Sequence, residues 1–340
     1  MENCELCLTN KPDKKNTHYL TDGIIRSCLN LEGSTEREKG FYFDISNDSA
    51  FVEFNFQRGT SVEKLEEALG RQTTESEIEN AKTIPFSVDY VFCSSCETKF
   101  TQIETEFIEN ILPQLRGKNL ENLESIRFDN TKNLRAFFII QISRSHICEP
   151  TYKLNSETAE KLRTLIFEYP NIDETLISEF PISINYLETL GGQEEFTTNY
   201  VGYTNDKNPF IIFMNDFLIQ FFENINSFKF LDFYGINKVD NFENEVNYKE
   251  KTFQINILHQ TERREFLRTL ITNEKVKSTL NYYIDSFNKL WQRLFGTNAP
   301  TQTTKEYIAL IIGQDENNIL NYTRENILEL TTKFIYSKIK

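Results

Sequence analysis

Apolar positions recur along the chain at two different periods, and together they predict an α+β protein. Four segments rich in aromatic and β-branched residues have the pattern of buried strands: FPISINYL, PFIIFM, FLIQFF and TFQINIL. Asn215 and Asp216 separate the middle two segments, and both residue types tolerate the positive φ of a tight turn. These segments predict a small antiparallel sheet in the C-terminal two thirds of the chain.

Apolar residues spaced three and four positions apart predict helices before and after these strands. The predicted helices cover 97–112, 133–148, 156–169, 262–271, 275–295, 304–312 and 316–339. Gly296, Pro300 and Gly313 separate the later ones, since both residue types interrupt helices. The chain is therefore expected to end in a helical part.

A long insertion divides the N-terminal part of the chain. Residues 19–31 have helical spacing, FYFDI and AFVEFNF are predicted strands joined by a turn at 46–49, and a polar helix is predicted over 61–82. SVDYVF is then a predicted strand that leads to a cysteine pair. We expect a domain of residues 1–115 with this insertion at about 33–85, followed by an α+β domain of residues 116–340.

Four of the six cysteines form two closely spaced pairs, Cys4-x-x-Cys7 and Cys93-x-x-Cys96. Each pair presents two sulfurs from one turn, and two such turns complete the tetrahedral shell of Zn²⁺. Because four thiolates leave no open position, the predicted zinc is structural. The remaining two, Cys28 and Cys148, are predicted to be ordinary buried thiols.

Composition limits the class of protein. Hydrophobic residues make up 39% of the 340 residues and aromatic residues 13%, enough to bury substantial cores. No stretch approaches the ~20 apolar residues that cross a bilayer, and the start MENCELCLTN does not resemble a signal peptide. We therefore expect a globular, cytoplasmic protein with no membrane partner, in which paired cysteines hold metal.

The net charge of −14 argues against a surface that binds nucleic acid as a whole, because phosphate binding depends on Lys and Arg. Only residues 261–340 are net basic. The basic residues concentrated on one predicted helix there are Arg263, Arg264, Arg268, Lys275 and Lys277. They either contact phosphates or form a solvated face, and the solvated face is the prediction.

The order of these motifs resembles a known family. Cys4-x-x-Cys7 is followed by Thr17-His18-Tyr19-Leu20 and then by Phe92-Cys93-x-x-Cys96-Glu97 at the start of a helix. This order is similar to the zinc-bound treble clef of HNH endonucleases, and NLRAFFIIQISRS resembles the apolar helix ending in Arg that follows in bacterial members. The resemblance covers residues 1 to about 145 and implies a treble clef interrupted by the insertion.

The resemblance implies a nuclease site beside the structural zinc. His18 matches the family's general base, and a separate Mg²⁺ or Mn²⁺ would neutralise charge on the phosphate. Glu97 stands where the family commonly has Asn, Thr21 stands where relatives have Pro, and no histidine follows on that helix. Glu97 with Glu104 or Glu106 could replace the missing ligands, because carboxylates suit Mg²⁺. Glu104, one helical heptad from Glu97, is the better placed.

The candidate residues also have structural interpretations. His18 could cap a helix or bind a backbone carbonyl, and Glu97 lies in a first helical turn, where a carboxylate is favoured regardless of function. His146 and His259 follow apolar runs and are expected at the core or its edge.

Two functions of different classes remain open. The first is an HNH-like, metal-dependent nuclease acting on nucleic acid, which only the resemblance associates with bacterial defence. The second is a zinc-stapled binding module that has lost catalysis and whose acidic surface meets a basic protein. The partners considered are nucleic acid, another protein and a second copy of the chain.

Overall fold

The computed structural model describes residues 2–27, 41–44, 46, 53–56, 61–80, 86–188, 200–204, 207–228, 230–238, 240, 242–313 and 324–339. The strands are β1 (Thr17–His18), β2 (Phe41–Asp44), β3 (Glu53–Phe56), β4 (Ser87–Val88), β5 (Ser125–Phe128), β6 (Ile182–Leu187), β7 (Tyr200–Tyr203), β8 (Phe210–Met214), β9 (Phe217–Phe221) and β10 (Phe253–Leu258). The helices are α1 (Asp22–Ser27), α2 (Val62–Leu69), α3 (Glu75–Asn80), α4 (Ser94–Asn110), α5 (Thr131–Cys148), α6 (Ser156–Phe167), α7 (Glu174–Ile177), α8 (Phe242–Glu245), α9 (Gln260–Ile271), α10 (Lys277–Phe295), α11 (Thr301–Ile312) and α12 (Arg324–Ile339). The described chain is mixed α+β, as predicted.

One large sheet organises the described part of the chain, in the strand order β3-β2-β7-β8-β9-β6-β10-β5. Six strands from β5 to β10 form its body, and the β2–β3 hairpin of the insertion extends it beside β7. Neighbouring strands are antiparallel except β2 with β7 and β6 with β10, which are parallel. The sheet is mostly antiparallel, as predicted, but it is larger than predicted, because β5, β7 and the strands of the insertion join it, and two of its strand pairs are parallel.

The central strands are buried on both faces. In β8, Phe210, Ile212 and Met214 belong to one buried cluster, whereas Ile211 and Phe213 belong to another. This alternation follows from the two-residue period of a strand, and it explains why β8 is continuously apolar in sequence. Helices therefore cover the sheet on both sides.

The first face of the sheet packs against α4 and α5. Helix α5 is buried all round from Leu134 to Ser145, and the Phe137 ring stacks on Phe107 of α4 with centroids 3.7 Å apart. The same buried cluster contains Cys4, Cys93 and Cys96. The cysteine region is thus packed onto the sheet through α4 and α5, while the domain boundary at residue 115 stays a prediction.

The turn between β8 and β9 is the predicted Asn215-Asp216 pair, with Asn215 at φ 60°. Its side chains bind the N-terminal region. Asn215 Nδ2 donates to the Ile25 carbonyl (2.6 Å), and Arg116 donates to both Asp216 oxygens, with Nη2–Oδ1 at 2.8 Å. Asp216 is fully buried, and Arg116 Nη2 also donates to the Ile24 carbonyl of α1 at 3.0 Å, so this bidentate pair links the turn to α1.

We expect Asp216→Asn to lower the free energy of unfolding by about 3–5 kcal/mol, because Arg116 would lose its buried counter-ion. Urea denaturation measures this loss. The matched control is Asp285→Asn on the exposed side of α10, which should change stability by less than about 0.5 kcal/mol. Equal effects of the two substitutions would show that the pair does not hold the turn.

The C-terminal helices form a further buried cluster around Phe287, Trp291, Tyr307 and Ile311. Helices α9 and α10 are continuous through a π-helical turn, Thr272–Val276, and α10 ends at Gly296 with φ 71°. The four helices predicted after residue 261 are confirmed, except that residues 314–323 lie outside the described residues.

The predicted solvated basic face is partly wrong. Arg263 is buried and donates to the Leu187 carbonyl at 2.7 Å, and Lys275 is buried and donates to the Ser46 carbonyl. The two cations therefore bind α9 and the turn after it to Leu187 at the end of β6 and to Ser46 after β2. A run of basic residues in a sequence does not indicate which of them will be buried against backbone carbonyls.

Several elements predicted in the N-terminal part of the chain match the structure only in part or lie outside the described residues. The helix predicted over 19–31 begins at Asp22, and the one over 61–82 is two short helices, α2 and α3. Of SVDYVF, only Ser87–Val88 is a strand. Cys28 and most of the turn at 46–49 lie outside the described residues. Every helix in the described part of the chain is too short or too polar to cross a membrane.

Candidate metal centre and the polar cluster beside it

The two cysteine pairs converge. One ligand atom of each of Cys4, Cys7, Cys93 and Cys96 lies within 4.8 Å of all the others, and the Cys7 and Cys93 sulfurs are 3.9 Å apart. Tetrahedral zinc with bonds of ~2.3 Å requires sulfurs about 3.8 Å apart. The four sulfurs are therefore close enough to hold one metal ion.

Local backbone geometry places the sulfurs. Leu8 adopts φ 58° and its N–H donates to the Cys4 carbonyl (2.8 Å), which closes the first turn. The second turn opens α4, where the N–H groups of Cys96 and Glu97 both donate to the Cys93 carbonyl. Asp13 accepts hydrogen bonds from the Ser94 amide and hydroxyl and so caps α4.

N–H groups donate hydrogen bonds to the sulfurs of three of the four cysteines. The Cys93 N–H points at the Cys4 sulfur (3.3 Å), and the Asn10 N–H points at the Cys7 sulfur (3.4 Å). The Asn10 side-chain amide reaches the Cys93 sulfur at 3.6 Å. Such donors stabilise thiolates, and hydrogen bonds to a ligand atom also hold that atom in the orientation that a metal needs.

The thiols interact strongly with one another. A hydrogen bond from the Cys96 thiol lowers the pKa of Cys4 to about 4, and for the same reason the pKa of Cys96 is raised. Thiols this close cannot all ionise without a cation among them. A metal ion bound among the four thiols would allow all of them to ionise. A set of four soft sulfur donors suits Zn²⁺.

A polar network lies beside the cysteines and is centred on Arg144 of α5. We call Thr21, Glu104, Gln141 and Arg144 the Arg144 cluster. Arg144 Nη2 contacts Glu104 Oε1 at 2.5 Å, and Arg144 Nη1 donates to the His18 carbonyl at 2.9 Å. The Thr21 hydroxyl also donates to Glu104 (2.7 Å). The cluster therefore joins α4 and α5 to the segment that follows β1.

His18 lies in β1, which pairs with β4 next to α4. Its Nε2 is 3.9 Å from Asp22 Oδ1, and its side chain is 28% exposed. Sequence reasoning did not identify Asp22. The spacing of four residues between a histidine and a carboxylate at the start of α1 is the signal that could have found it.

Glu97 lies in the first turn of α4 but is partly buried, and it does not simply face solvent. Burial raises its pKa above the usual range, against the opposing charge of Arg144. Its Oε1 is buried and accepts no hydrogen bond from the described residues. Glu97 therefore lies close enough to Arg144 and Glu104 to interact with both electrostatically.

The three predicted catalytic residues are thus gathered around Arg144, but their side chains do not come together as a group of three close metal ligands in the described part of the chain. Among the described residues, the four cysteines are the only group of three or more potential metal ligands that lies close enough together. Glu104 is occupied by Arg144 and Thr21, and Glu106 instead contacts Asn133. His146 accepts a hydrogen bond from the Leu154 N–H, which fits the predicted structural role.

The contact of Arg144 with Glu104 and that of Gln141 with Thr21 were not predicted from sequence. Gln141 and Arg144 both lie on α5, whose other positions are mostly apolar, and Gln141 exchanges hydrogen bonds with Thr21. A pair of long polar side chains three residues apart on an otherwise apolar helix was the available signal.

Comparison with known proteins does not identify the chain. No family model matches it, no curated protein matches it, and no solved structure matches it. Its function must therefore be inferred from the geometry of the described residues.

Proposed function

We propose that this chain is a zinc-stapled binding module with an HNH-like N-terminal treble clef that does not hydrolyse phosphodiesters. The observation that carries the proposal is the Arg144–Glu104 ion pair. Arg144 is 3% exposed, and its guanidinium contacts the His18 carbonyl as well as Glu104.

The position of this cation bears on the nuclease resemblance. In an HNH-type site, a divalent cation would lie beside the histidine and the carboxylates of the following helix. Here a guanidinium lies between His18 and Glu104, and like charges at such a separation repel strongly when they are buried. The carboxylate that would bind the second metal instead balances a cation of the protein itself.

The net charge indicates the class of partner. At −14, the chain repels a phosphate backbone and attracts basic surfaces. The proposed partner is a protein with a basic surface, and the zinc would hold the treble clef that presents the binding region.

The nuclease remains a second candidate because two features favour it. The His18 imidazole is partly exposed beside Asp22, and Glu97 has a buried oxygen that accepts no hydrogen bond within the described residues. In this alternative, Glu97 would hold Mg²⁺ or Mn²⁺, which supplies charge neutralisation at the phosphate. His18 Nε2 would take the proton from the attacking water. The association with bacterial defence would follow only from this alternative.

The two candidates predict opposite results with Mn²⁺. For the binding module, we expect no saturable Mn²⁺ binding beyond nonspecific sites by electron paramagnetic resonance. We also expect no cleavage of single-stranded DNA, double-stranded DNA or RNA with Mg²⁺ or Mn²⁺. The protein must carry its zinc and be folded, as circular dichroism and metal analysis would establish.

Matched variants make the test decisive. His18→Ala removes the candidate base, Glu97→Gln removes the candidate ligand, and Glu109→Gln removes an exposed carboxylate from the same helix as a control. Cleavage that His18→Ala abolishes, together with Mn²⁺ binding lost in Glu97→Gln but kept in Glu109→Gln, would overturn the binding module in favour of the nuclease.

A further inference from the structure

A second candidate site lies away from the cysteines, at the carboxyl ends of β6 and β10. These neighbouring strands are parallel, with Leu187 opposite Leu258. A cavity of about 980 Å³ opens there, lined by β10, α8, α9 and the segments around residues 121–127 and 234–238. Ligands commonly bind where parallel strands end, because the loops that follow diverge from the sheet.

Two titratable residues follow these strands directly. Glu188 comes after β6, His259 comes after β10, and the Glu188 N–H donates to the Leu258 carbonyl (2.9 Å). This backbone bond fixes the side chains next to each other, with His259 Nδ1 at 3.1 Å from Glu188 Oε2.

His259 is the member of this pair that lines the cavity, and its side chain is 30% exposed. Its Nδ1 contacts Glu188, so this buried carboxylate holds the ring in place in the cavity lining. A ligand bound in the cavity would therefore change the surroundings of the His259 ring.

Two buried carboxylate oxygens lack donors in the described part of the chain. Glu188 is 6% exposed on its side chain, and its Oε1 accepts no hydrogen bond. Glu245 lines the cavity, and its Oε2 is also buried and accepts no hydrogen bond. Leaving a buried carboxylate oxygen unsatisfied is costly, so a donor or a positive charge brought into this region would stabilise it.

The other groups that line the cavity also favour a positive charge or a hydrogen-bond donor. The carboxylates of the lining are Glu121, Glu124, Glu245, Glu262 and Glu265, and its cations are Arg127 and Lys238. The Asn185 amide oxygen is used by Gln220 (3.3 Å), and the Asn256 amide is held by the Glu245 carbonyl (3.1 Å). The groups left to meet a ligand are mostly acceptors with an excess of negative charge.

The N-terminus of α9 does not change the preference of the cavity for a cation. A helix N-terminus attracts anions, but Glu262 in the first turn already supplies one and accepts from the His259 N–H (3.2 Å). The cavity therefore favours a ligand that is both cationic and rich in N–H donors.

We propose that this cavity is a second binding site, which takes the ammonium or guanidinium group of an organic cation. Its recognition elements are the Glu245 carboxylate and the other carboxylates of the lining, with the His259 imidazole, held by Glu188, beside them. The site does not depend on the zinc region or on whether the chain is a nuclease.

Nuclear magnetic resonance of the histidine side chains tests this proposal. The chain has three histidines, so His18 and His146 serve as internal references for His259. The full-length, zinc-loaded protein would be titrated at physiological salt with two probes, spermidine and N-acetyl-lysine methylamide. We expect a saturable shift of His259 and no comparable shift of the other two.

Variants separate the site from general charge attraction. Glu245→Gln is expected to weaken binding about tenfold or more, the effect of losing one charged hydrogen bond. Glu168→Gln, which removes an exposed carboxylate away from the cavity, should leave binding unchanged.

The results distinguish the source of the cation. Tighter binding of spermidine would indicate a free polyamine, and tighter binding of the lysine derivative would indicate a side chain of a partner polypeptide. Absence of a His259 shift with either probe, or equal weakening by Glu245→Gln and Glu168→Gln, would overturn the proposal.

Discussion

Replacing Cys96 with serine is expected to abolish stoichiometric zinc binding and to lower the melting temperature by more than about 5 °C. Cys96 is 1% exposed and belongs to the four-sulfur group. Structural zinc sites contribute about 10–16 kcal/mol in small zinc-binding peptides, whereas whole domains are stable by only about 5–15 kcal/mol. Losing one of four ligands therefore removes a large share of the stability. Metal analysis and calorimetry measure the two effects.

Cys148→Ala is the matched control for this experiment. Cys148 lies at the end of α5, outside the four-sulfur group, and burial raises its pKa to about 12, so it remains a neutral thiol. Its replacement should keep the zinc and cost about 1 kcal/mol. A Cys96→Ser protein that retains one zinc and its melting temperature would refute the four-thiolate site.

Replacing Arg144 with methionine is expected to cost about 3–5 kcal/mol, because Glu104 would be left without its counter-ion. The His18 carbonyl would also lose its donor. Combining Arg144→Met with Glu104→Gln should restore part of the loss, since the second change removes the unpaired charge. Urea denaturation of both single variants and the double variant measures this coupling.

An exposed ion pair provides the comparison. Lys161 and Glu157 on α6 are 61% and 78% exposed on their side chains. Lys161→Met should therefore change stability by about 0–1 kcal/mol. If Arg144→Met is equally mild, Arg144 is not a structural cation, and the main support for the binding module is lost.

The features predicted most accurately from sequence are those determined within a few residues. The two Cys-x-x-Cys turns carry their own geometry, and Asn215-Asp216 forms a turn because Asn tolerates positive φ. The strands β6, β8, β9 and β10 are recognisable because they are rich in aromatic and β-branched residues, and β8, buried on both faces, is continuously apolar.

The features that sequence reasoning missed depend on distant partners. Strands β5 and β7 have only four residues each, too few for a reliable period, and they join the sheet through pairing with β10, β2 and β8. The partner that determines the role of Glu104 is Arg144, on another helix forty positions later. Burial of Arg263 on the Leu187 carbonyl likewise depends on how α9 packs against the sheet.

The candidate site was predicted from sequence only in part, for the same physical reason. The spacing of the cysteines predicted a group of four sulfurs close enough to bind one metal ion, which the structure confirms, whereas the catalytic role of His18, Glu97 and Glu104 stays a prediction. The motif places these residues near one another, but only the tertiary structure adds the guanidinium that neutralises Glu104.

Metal analysis of the purified wild-type protein would show whether the four cysteines hold one structural zinc. We expect one zinc per chain, loss of tertiary structure when a strong chelator removes it, and recovery when zinc is restored. Replacement by Co²⁺ should give the absorption of a tetrahedral thiolate site. A folded protein that contains no metal and does not change with chelator would rule out a structural zinc at these cysteines.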